Sequence, residues 1–358
     1  MFRTSHRSSP IRGAAVCNPA RLTDTAQNIL VVGPAWVGDM VLAQSLFKVL
    51  KQRHPDARLD VLAPGWTLPL LARMPEVDEG IALNVGHGEL GLGKRLGLGL
   101  ELRARRYDRA IVLPNSLKSA IVPFAARARV RTGFLGELRY GLLNDIRRLD
   151  KQRLPRTVDR FVALALAPDE ALPEIPAPRI RADLDQARTA LARLGRSLPR
   201  TPVLGLCPGA EYGPAKRWPA EYFADVAREQ LAQGWEVWLF GSDKDSGVTG
   251  AIQSMTDKRC FDLGGKTTLA EAIDLMSLTG AVVTNDSGLM HVAAALDRPV
   301  VALYGSSDPR HTPPMSEQAT VLYLGLECSP CFKRECPLKH LKCLRDLPPE
   351  RVLAALKG

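Results

Sequence analysis

Several strand-to-helix transitions in this sequence carry the residue types that phosphate and carboxylate chemistry need. Gly33-Pro-Ala-Trp-Val-Gly-Asp39 closes a short apolar run and leads into a helical stretch. Gly33 and Gly38 permit tight turns at the carboxyl end of a strand, where open α/β sheets place ligands. Asp39 stands at the helix mouth, a place that suits an N-cap or first-turn carboxylate as well as a functional one. The spacing departs from the dinucleotide fingerprint, so no nicotinamide cofactor is expected.

A second loop, Cys207-Pro-Gly-Ala-Glu-Tyr-Gly-Pro-Ala-Lys-Arg-Trp-Pro219, sets Lys216 and Arg217 just ahead of a helix that opens near Pro219. Such a loop can present a cation to a phosphate beside free helix N–H groups, and solvated loop charges are the competing reading. Thr284-Asn-Asp-Ser-Gly-Leu-Met-His291 is the sharpest of the set. It puts Asp286, Ser287 and Gly288 at a helix entrance, where unpaired N–H groups and the positive dipole end favour a diphosphate. Asp286 suits a helix cap or a ligand hydroxyl; His291, one turn on, reads as a packed histidine rather than a base. Phe240-Gly-Ser-Asp-Lys-Asp245, with Ser242 and Asp243, is ordinary turn chemistry taken alone. Cys328, Cys331, Cys336 and Cys343 lie within sixteen residues, with His340 nearby. Four such thiols can hold a structural zinc, but the spacing is not a paired CxxC ribbon and small buried thiols weigh against the metal.

The elements that must position these residues follow a strand–helix–strand rhythm. Asn28–Gly33, Arg58–Ala63 and Ala110–Leu113 are short, mostly apolar runs of the kind that buried parallel strands show. Met40–Arg53 brings Leu42, Leu46, Val49 and Leu50 onto one helical face. Pro168, Pro173, Pro176 and Pro178 form a cluster, and the stretch Asp183–Leu194, expected to be helical, separates it from Pro199 and Pro202. A domain boundary is expected in that region. A second series of strands then follows in Val203–Cys207, Glu236–Phe240, Ala281–Asn285 and Pro299–Tyr304. The expected fold is α/β, with two Rossmann-like halves, 28–180 and 181–358, facing a cleft. Residues 1–27 are polar and patternless and are expected to form a disordered or loosely attached tail.

The charge is uneven. The chain has 48 Lys+Arg against 38 Asp+Glu, a formal net charge of +10. Between Lys94 and Arg160 there are 17 basic and 6 acidic residues, a surplus of 11. A basic half beside a neutral half suits phosphates or a membrane surface, with solvated helix faces as the plainer explanation. Arg103, Arg105 and Arg106, beside an expected helix end, are the first candidates for such a face. Nucleic acid is not expected: Tyr107, Phe124, Phe134 and Tyr140 fall at no regular spacing and no reading module is recognisable. No apolar run nears the roughly 20 residues that span a bilayer. Residues 1–27 contain no apolar core of signal-peptide type, and seven Cys in this length form no disulfide framework. The expected compartment is the cytoplasm.

Taken in order, these segments resemble the ADP-heptose:lipopolysaccharide heptosyltransferase family, and within it the heptosyltransferase II branch. The resemblance runs from about Asn28 to the C-terminal helix. Its parts are Pro34–Met40, Leu113-Pro-Asn-Ser-Leu-Lys-Ser-Ala120, Arg131–Asp145, Thr284–His291 and the Cys-rich segment 328–343. It implies a GT-B fold whose C-terminal domain holds the nucleotide sugar and whose N-terminal domain holds the acceptor. The reaction implied moves L-glycero-D-manno-heptose from ADP-heptose onto the first heptose of the Kdo2-lipid A inner core, with inversion at the anomeric carbon. The acceptor is then an anionic lipid at the cytoplasmic face of the inner membrane, with the enzyme peripherally attached there.

By that resemblance Asp39 is the base that takes the acceptor proton. An unshifted Asp, at about pKa 3.9, cannot ionise a sugar hydroxyl beforehand, so proton transfer must accompany attack. Lys216 and the Ser287, Gly288 and Leu289 amides are implied to stabilise the departing diphosphate without a divalent metal or any other cofactor. Asp286 and His291 fall in the donor site, with Ser242 and Asp243 near the ribose or adenine. Gly38, Asn115 and Lys118 fall on the acceptor side. Gly86–Leu100, rich in Gly and Leu, is a departure to which the resemblance gives no role. Two other readings stay open: another nucleotide-sugar transferase or epimerase on the same fold, and a zinc-supported nucleic-acid or membrane-binding module.

Overall fold

The computed structural model describes residues 27–86 and 89–357, so the expectation of a loose tail at 1–27 falls almost wholly outside the described residues. Six strands form the first sheet: β1 (Asn28–Val32), β2 (Arg58–Ala63), β3 (Glu79–Ala82), β4 (Arg109–Val112), β5 (Val130–Phe134) and β6 (Asp145–Arg147). Between and after them run α1 (Val37–Arg53), α2 (Leu68–Leu71), α3 (Leu92–Glu101), α4 (Ile121–Ala125), α5 (Thr157–Ala163) and α6 (Leu184–Arg193). The second sheet contains β7 (Val203–Cys207), β8 (Glu236–Leu239), β9 (Phe261–Asp262), β10 (Ala281–Asn285), β11 (Val300–Tyr304) and β12 (Ala319–Tyr323). Its helices are α7 (Ala220–Ala232), α8 (Ser246–Met255), α9 (Leu269–Met276), α10 (Gly288–Ala295), α11 (Lys342–Arg345) and α12 (Pro349–Ala355).

Both sheets are parallel, in the orders β3-β2-β1-β4-β5-β6 and β12-β11-β10-β7-β8-β9. Each is doubly wound, with switch points at β1/β4 and at β7/β10. Register is fixed by the buried central strands: Val31 lies beside Val61 and Ile111, and Val283 beside Leu206 and Val301. Loops leaving a switch point diverge to opposite faces and open a crevice at the strands' carboxyl ends. Asp39 follows β1, Lys216 follows β7 and Asp286 follows β10, so all three leave strands that border a switch point.

The halves touch through α1, which packs on α5 and on α10. The Pro-rich segment does not hang free between them. Gln44 donates to the Arg179 carbonyl (2.7 Å) and accepts from its N–H (2.9 Å), Ser45 donates to Pro176 O and Lys48 to Ala177 O, laying the segment along α1. Helix α1 begins at Val37 rather than Met40, so Asp39 is in its first turn, with Trp36 at the N-cap position.

Part of the basic surplus is consumed inside the fold, and part stays on the surface. Arg109 is buried and donates to the carbonyls of Leu164 (2.7 Å) and Ala165 (3.0 Å), satisfying the end of α5. Arg139, also buried, bonds Pro114 O and Phe134 O. Arg105 departs from its expected place on a free basic face. It pairs with buried Asp60 (2.6 Å) and with Glu79 (2.7 Å), while Arg103 donates to Ala125 O (2.8 Å); Arg106 faces solvent and makes no such pairing among the described residues. Guanidinium groups are well suited to this work, because their planar fork satisfies several carbonyls or carboxylate oxygens at once.

Candidate active site

A cavity of about 460 Å³ lies between the two halves. The first half contributes Trp36, Val37, Gly38, Asp39 and Trp66; Gly209–Tyr212, Lys216, Ser242, Asp245, Thr267, Thr268 and Asp286–Leu289 line the other side, with His291 below. The starts of α1 and α10 meet here almost without side chains. A Cβ on Gly38 would lie 2.7 Å from His291 Cδ2 and 3.4 Å from Gly288 Cα, so glycine is what permits the approach.

Asp39 projects from α1 into this space. Displacement of water by the cleft walls raises its pKa above the ordinary 3.8, an effect opposed by the positive charge of Lys216 and His311 and reinforced by Asp286. A carboxylate made more basic in this way is a better proton acceptor. His291 is pushed the other way. Burial lowers it to about 4, so it is neutral, and its Nδ1 is buried without a hydrogen-bond partner. A neutral, unsatisfied imidazole at the floor of a cavity is suited to accept from or donate to a ligand, not to supply charge.

The opposite wall is built around a buried ion pair. Lys216 Nζ donates to Asp286 Oδ2 at 2.5 Å, and Ser307 also donates to that carboxylate, which is 5% exposed. Lys216 further rests 5.0 Å from the Tyr212 ring centroid. Asn285, buried beneath, accepts from the Trp218 N–H (3.0 Å) and donates to Pro208 O (2.7 Å), so the β10–α10 turn fixes both ends of the Lys216 loop. Ser287 occupies the N-cap position of α10 with no side-chain cap bond, leaving the first amides of the helix directed at the cavity. A lysine beside free helix N–H groups is an arrangement that suits a diphosphate.

The Cys-rich segment takes a part the sequence did not suggest. Phe332 N–H donates to Ser306 O (2.7 Å), Tyr212 OH to Phe332 O (2.8 Å) and Ala215 N–H to Arg334 O (3.0 Å), so the segment clamps the Lys216 loop from outside. Cys343 is buried, Cys331 and Cys336 are half-buried and Cys328 is exposed, all as free thiols. Among the described residues no group of three or more His, Cys, Asp or Glu is placed to hold a metal ion.

Of the residues expected at the site, Gly38, Asp39, Lys216, Ser242, Asp286, Ser287, Gly288, Leu289 and His291 line this cavity together. Asp243 does not. It sits in the turn beyond, and Asp245 faces inward instead, accepting from the Ser242 N–H (2.9 Å) and hydroxyl (2.8 Å). Asn115 and Lys118 also lie outside the lining, on the carboxyl edge of the first sheet; Asn115 accepts from Arg139 and Lys118 donates to Glu89 O. Sequence reasoning missed Trp36, Trp66, Tyr212, Thr267, Thr268 and His311. Thr268 was readable: Thr-x-x-Glu before a helix is a capping box, and Thr268 and Glu271 form one at α9. The aromatic residues and His311 offered no such pattern.

The chain matches glycosyltransferase family 9 (heptosyltransferase) over residues 95–342. It is 48% identical over 337 residues to the lipopolysaccharide heptosyltransferase 2 of Salmonella typhimurium, covering 92% of this chain and 97% of that protein. The lipooligosaccharide heptosyltransferase 2 of Haemophilus influenzae is 48% identical over 83% of this chain and 88% of its own length. Among solved structures, the Escherichia coli ADP-heptose lipopolysaccharide heptosyltransferase II superposes with a TM-score of 0.82 at 44% identity, covering 92% of this chain and 97% of that one. That agreement extends over both sheets, which establishes the GT-B architecture together with the catalytic class. The two doubly wound halves and the cleft they enclose are those of a glycosyltransferase, and the chain belongs to glycosyltransferase family 9, the heptosyltransferases.

Proposed function

We propose that the enzyme transfers L-glycero-D-manno-heptose from ADP-heptose to the first heptose of the Kdo2-lipid A inner core, inverting the anomeric carbon. The reading is carried by one observation: Asp39 and the Lys216/α10 anion site occupy opposite walls of a single cavity. Inversion needs a base on one side of the anomeric carbon and a stabilised leaving group on the other. Asp39 accepts the proton of the acceptor hydroxyl as that oxygen forms the new bond. The bond to the diphosphate breaks on the far side, and Lys216 with the Ser287, Gly288 and Leu289 amides takes up the charge of the departing ADP. His291, neutral and unsatisfied, and Ser242, held by Asp245, serve the donor. The division of labour follows the two halves, split near residue 180: the first receives the acceptor and the second the nucleotide sugar.

The acceptor is a lipid, and we place the enzyme in the cytoplasm, peripherally attached to the inner membrane, with no nucleic-acid partner. No described helix is long and apolar enough to cross a membrane. The test is turnover of a donor panel against defined heptosyl-Kdo2 acceptors, with product anomer read by NMR. Preferred use of ADP-heptose with inversion is expected. Preference for another nucleotide sugar, or transfer only to an acceptor lacking the first heptose, would overturn the assignment.

A further inference from the structure

Helix α3 turns leucines to solvent and an arginine inward. Leu92, Leu96 and Leu100, one helical turn apart, point outward, and Leu90, Leu92 and Leu100 each leave about half their surface exposed. Arg95 is the residue turned inward, buried with its Nε on Leu90 O (2.7 Å). Gly99 faces α4 so closely that a Cβ there would fall 2.4 Å from Ala125 Cβ, so the helix is seated by its glycine side. A Cβ on Gly93 or Gly97 would meet nothing within 4 Å, which leaves the leucine side open. Neighbouring α4 adds exposed Phe124, with the Arg131 guanidinium 5.5 Å from its ring.

An exposed leucine stripe on an otherwise ordinary surface marks an interaction site. Its charge surroundings define the partner. Lys94 is exposed on the helix itself, Arg103 and Arg106 at its end, and Arg127 and Arg129 after α4. From Leu90 to Arg106 the only acidic residue is Glu101. A helix of ten residues is about 15 Å long. A single stripe on it is too small for the roughly 1,200 Å² a stable protein interface buries. Lysine is depleted from the cores of such interfaces, whereas Leu with flanking Lys and Arg is what lies in the plane of an anionic bilayer.

Position agrees. Lys118 donates to Glu89 O, tying the start of α3 to the Asn115–Lys118 loop at the carboxyl edge of the first sheet. That edge is the acceptor's side of the cleft, and exposed Leu138 and Tyr140 lie in the adjoining β5–β6 loop, which Glu137 N–H holds against Asn115 O.

We propose that α3 is an interfacial docking helix, placing Leu90, Leu92, Leu96 and Leu100 in the acyl boundary of an anionic bilayer with Arg103 and Arg106, at the helix end, at its phosphates. This rests on the reading that the acceptor is a membrane lipid, whose sugar head then rises beside the cleft while its acyl chains stay in the bilayer. The helix accounts for Leu92–Leu100 of the otherwise unassigned Gly86–Leu100 stretch.

The test is flotation of the full chain with vesicles of phosphatidylglycerol and phosphatidylethanolamine, compared with phosphatidylcholine. The wild type and a Leu92→Ser/Leu96→Ser/Leu100→Ser variant are run at low and high salt. Electrostatic attachment fades as salt shortens the screening length, whereas the apolar part persists. The wild type should keep a salt-resistant fraction on anionic vesicles. Loss of three half-exposed leucines should lower partition by about 30-fold or more, from a few-fold for each. Turnover of a deacylated, water-soluble acceptor should be the same in both proteins. A Leu96→Trp variant should shift its emission to the blue on vesicles and be quenched by brominated lipid, which keeps the test open if the triple variant folds poorly. Equal vesicle binding by wild type and triple variant, or emission from the Leu96→Trp variant that brominated lipid leaves unquenched, would overturn the proposal. So would a wild-type dimer that the triple variant dissolves, since the face then belongs to a second copy. Absence of heptose transfer to the soluble acceptor in both proteins counts against the reaction, not against docking.

Discussion

Gly38→Ala isolates the contact that makes two sheets into one site. Gly38 is the second residue of α1, and the added methyl would stand 2.7 Å from His291 Cδ2, well inside van der Waals contact. His291 is buried on α10 and cannot swing away without disturbing its neighbours. Relief must come from moving α1 off α10. Overpacking of this sort costs about 1–3 kcal/mol. The same substitution favours the helix by at most about 1 kcal/mol, Ala being the better helix former, so the net loss of stability should be no more than about 2 kcal/mol. The strain therefore falls on the arrangement in which Asp39 faces Lys216 and the start of α10. If transfer requires that arrangement, kcat should drop about 5- to 150-fold, at 1.4 kcal/mol per decade. ADP affinity should stay near that of the wild type, because its expected contacts are on elements of the second sheet. Steady-state kinetics with ADP-heptose, titration calorimetry with ADP and a melting curve read the three quantities. Gly288→Ala should act in the same direction, its Cβ meeting Val37 Cβ at 3.1 Å. A folded Gly38→Ala enzyme with wild-type kcat would refute the reasoning.

Asp39→Asn should keep ADP-heptose binding and lose transfer by about a hundred- to ten-thousand-fold, the usual range for a general base, as single-turnover kinetics will report. Because burial raises the Asp39 pKa, the folded state holds this proton more tightly than the unfolded one; its contribution to stability is present at acid pH and lost as pH rises through the folded pKa. The Asn variant should therefore melt above the wild type at pH 7 and match it in acid. Lys216→Met should weaken ADP binding and also strip a buried carboxylate of its cation; adding Asp286→Asn should restore the melting temperature but not the affinity measured by calorimetry. Transfer should survive excess EDTA, and a requirement for magnesium or manganese would show that Lys216 and the helix amides do not suffice. Arg105→Ala should cost about 1.5–3 kcal/mol in chemical denaturation, since Asp60 loses a charged hydrogen bond but keeps Tyr107 and Arg58.

The central strands were legible because burial on both faces demands continuous apolar runs: Asn28–Val32, Val203–Cys207, Ala281–Asn285 and Val300–Tyr304 spell themselves out. Edge strands did not. Glu79–Ala82, Asp145–Arg147 and Phe261–Asp262 are short and partly polar, and they become strands through a neighbour that supplies their hydrogen bonds. The chemical segments were likewise visible as loops leaving those strands, since glycines and a carboxylate at a strand's end are local facts. Their assembly was not local. Lys216 and Asp286 pair across 70 positions, and Gly38 meets His291 only because two separate sheets pack through α1 and α10. Charge shows the same limit. Composition counts a surplus of 11 between Lys94 and Arg160, but only packing decides that Arg105 answers Asp60, that Arg109 and Arg139 cap carbonyls in the interior, and that Lys94 is left facing outward. A residue's type fixes which bonds it can make; the tertiary structure fixes which partners are within reach and how much water remains to compete for them.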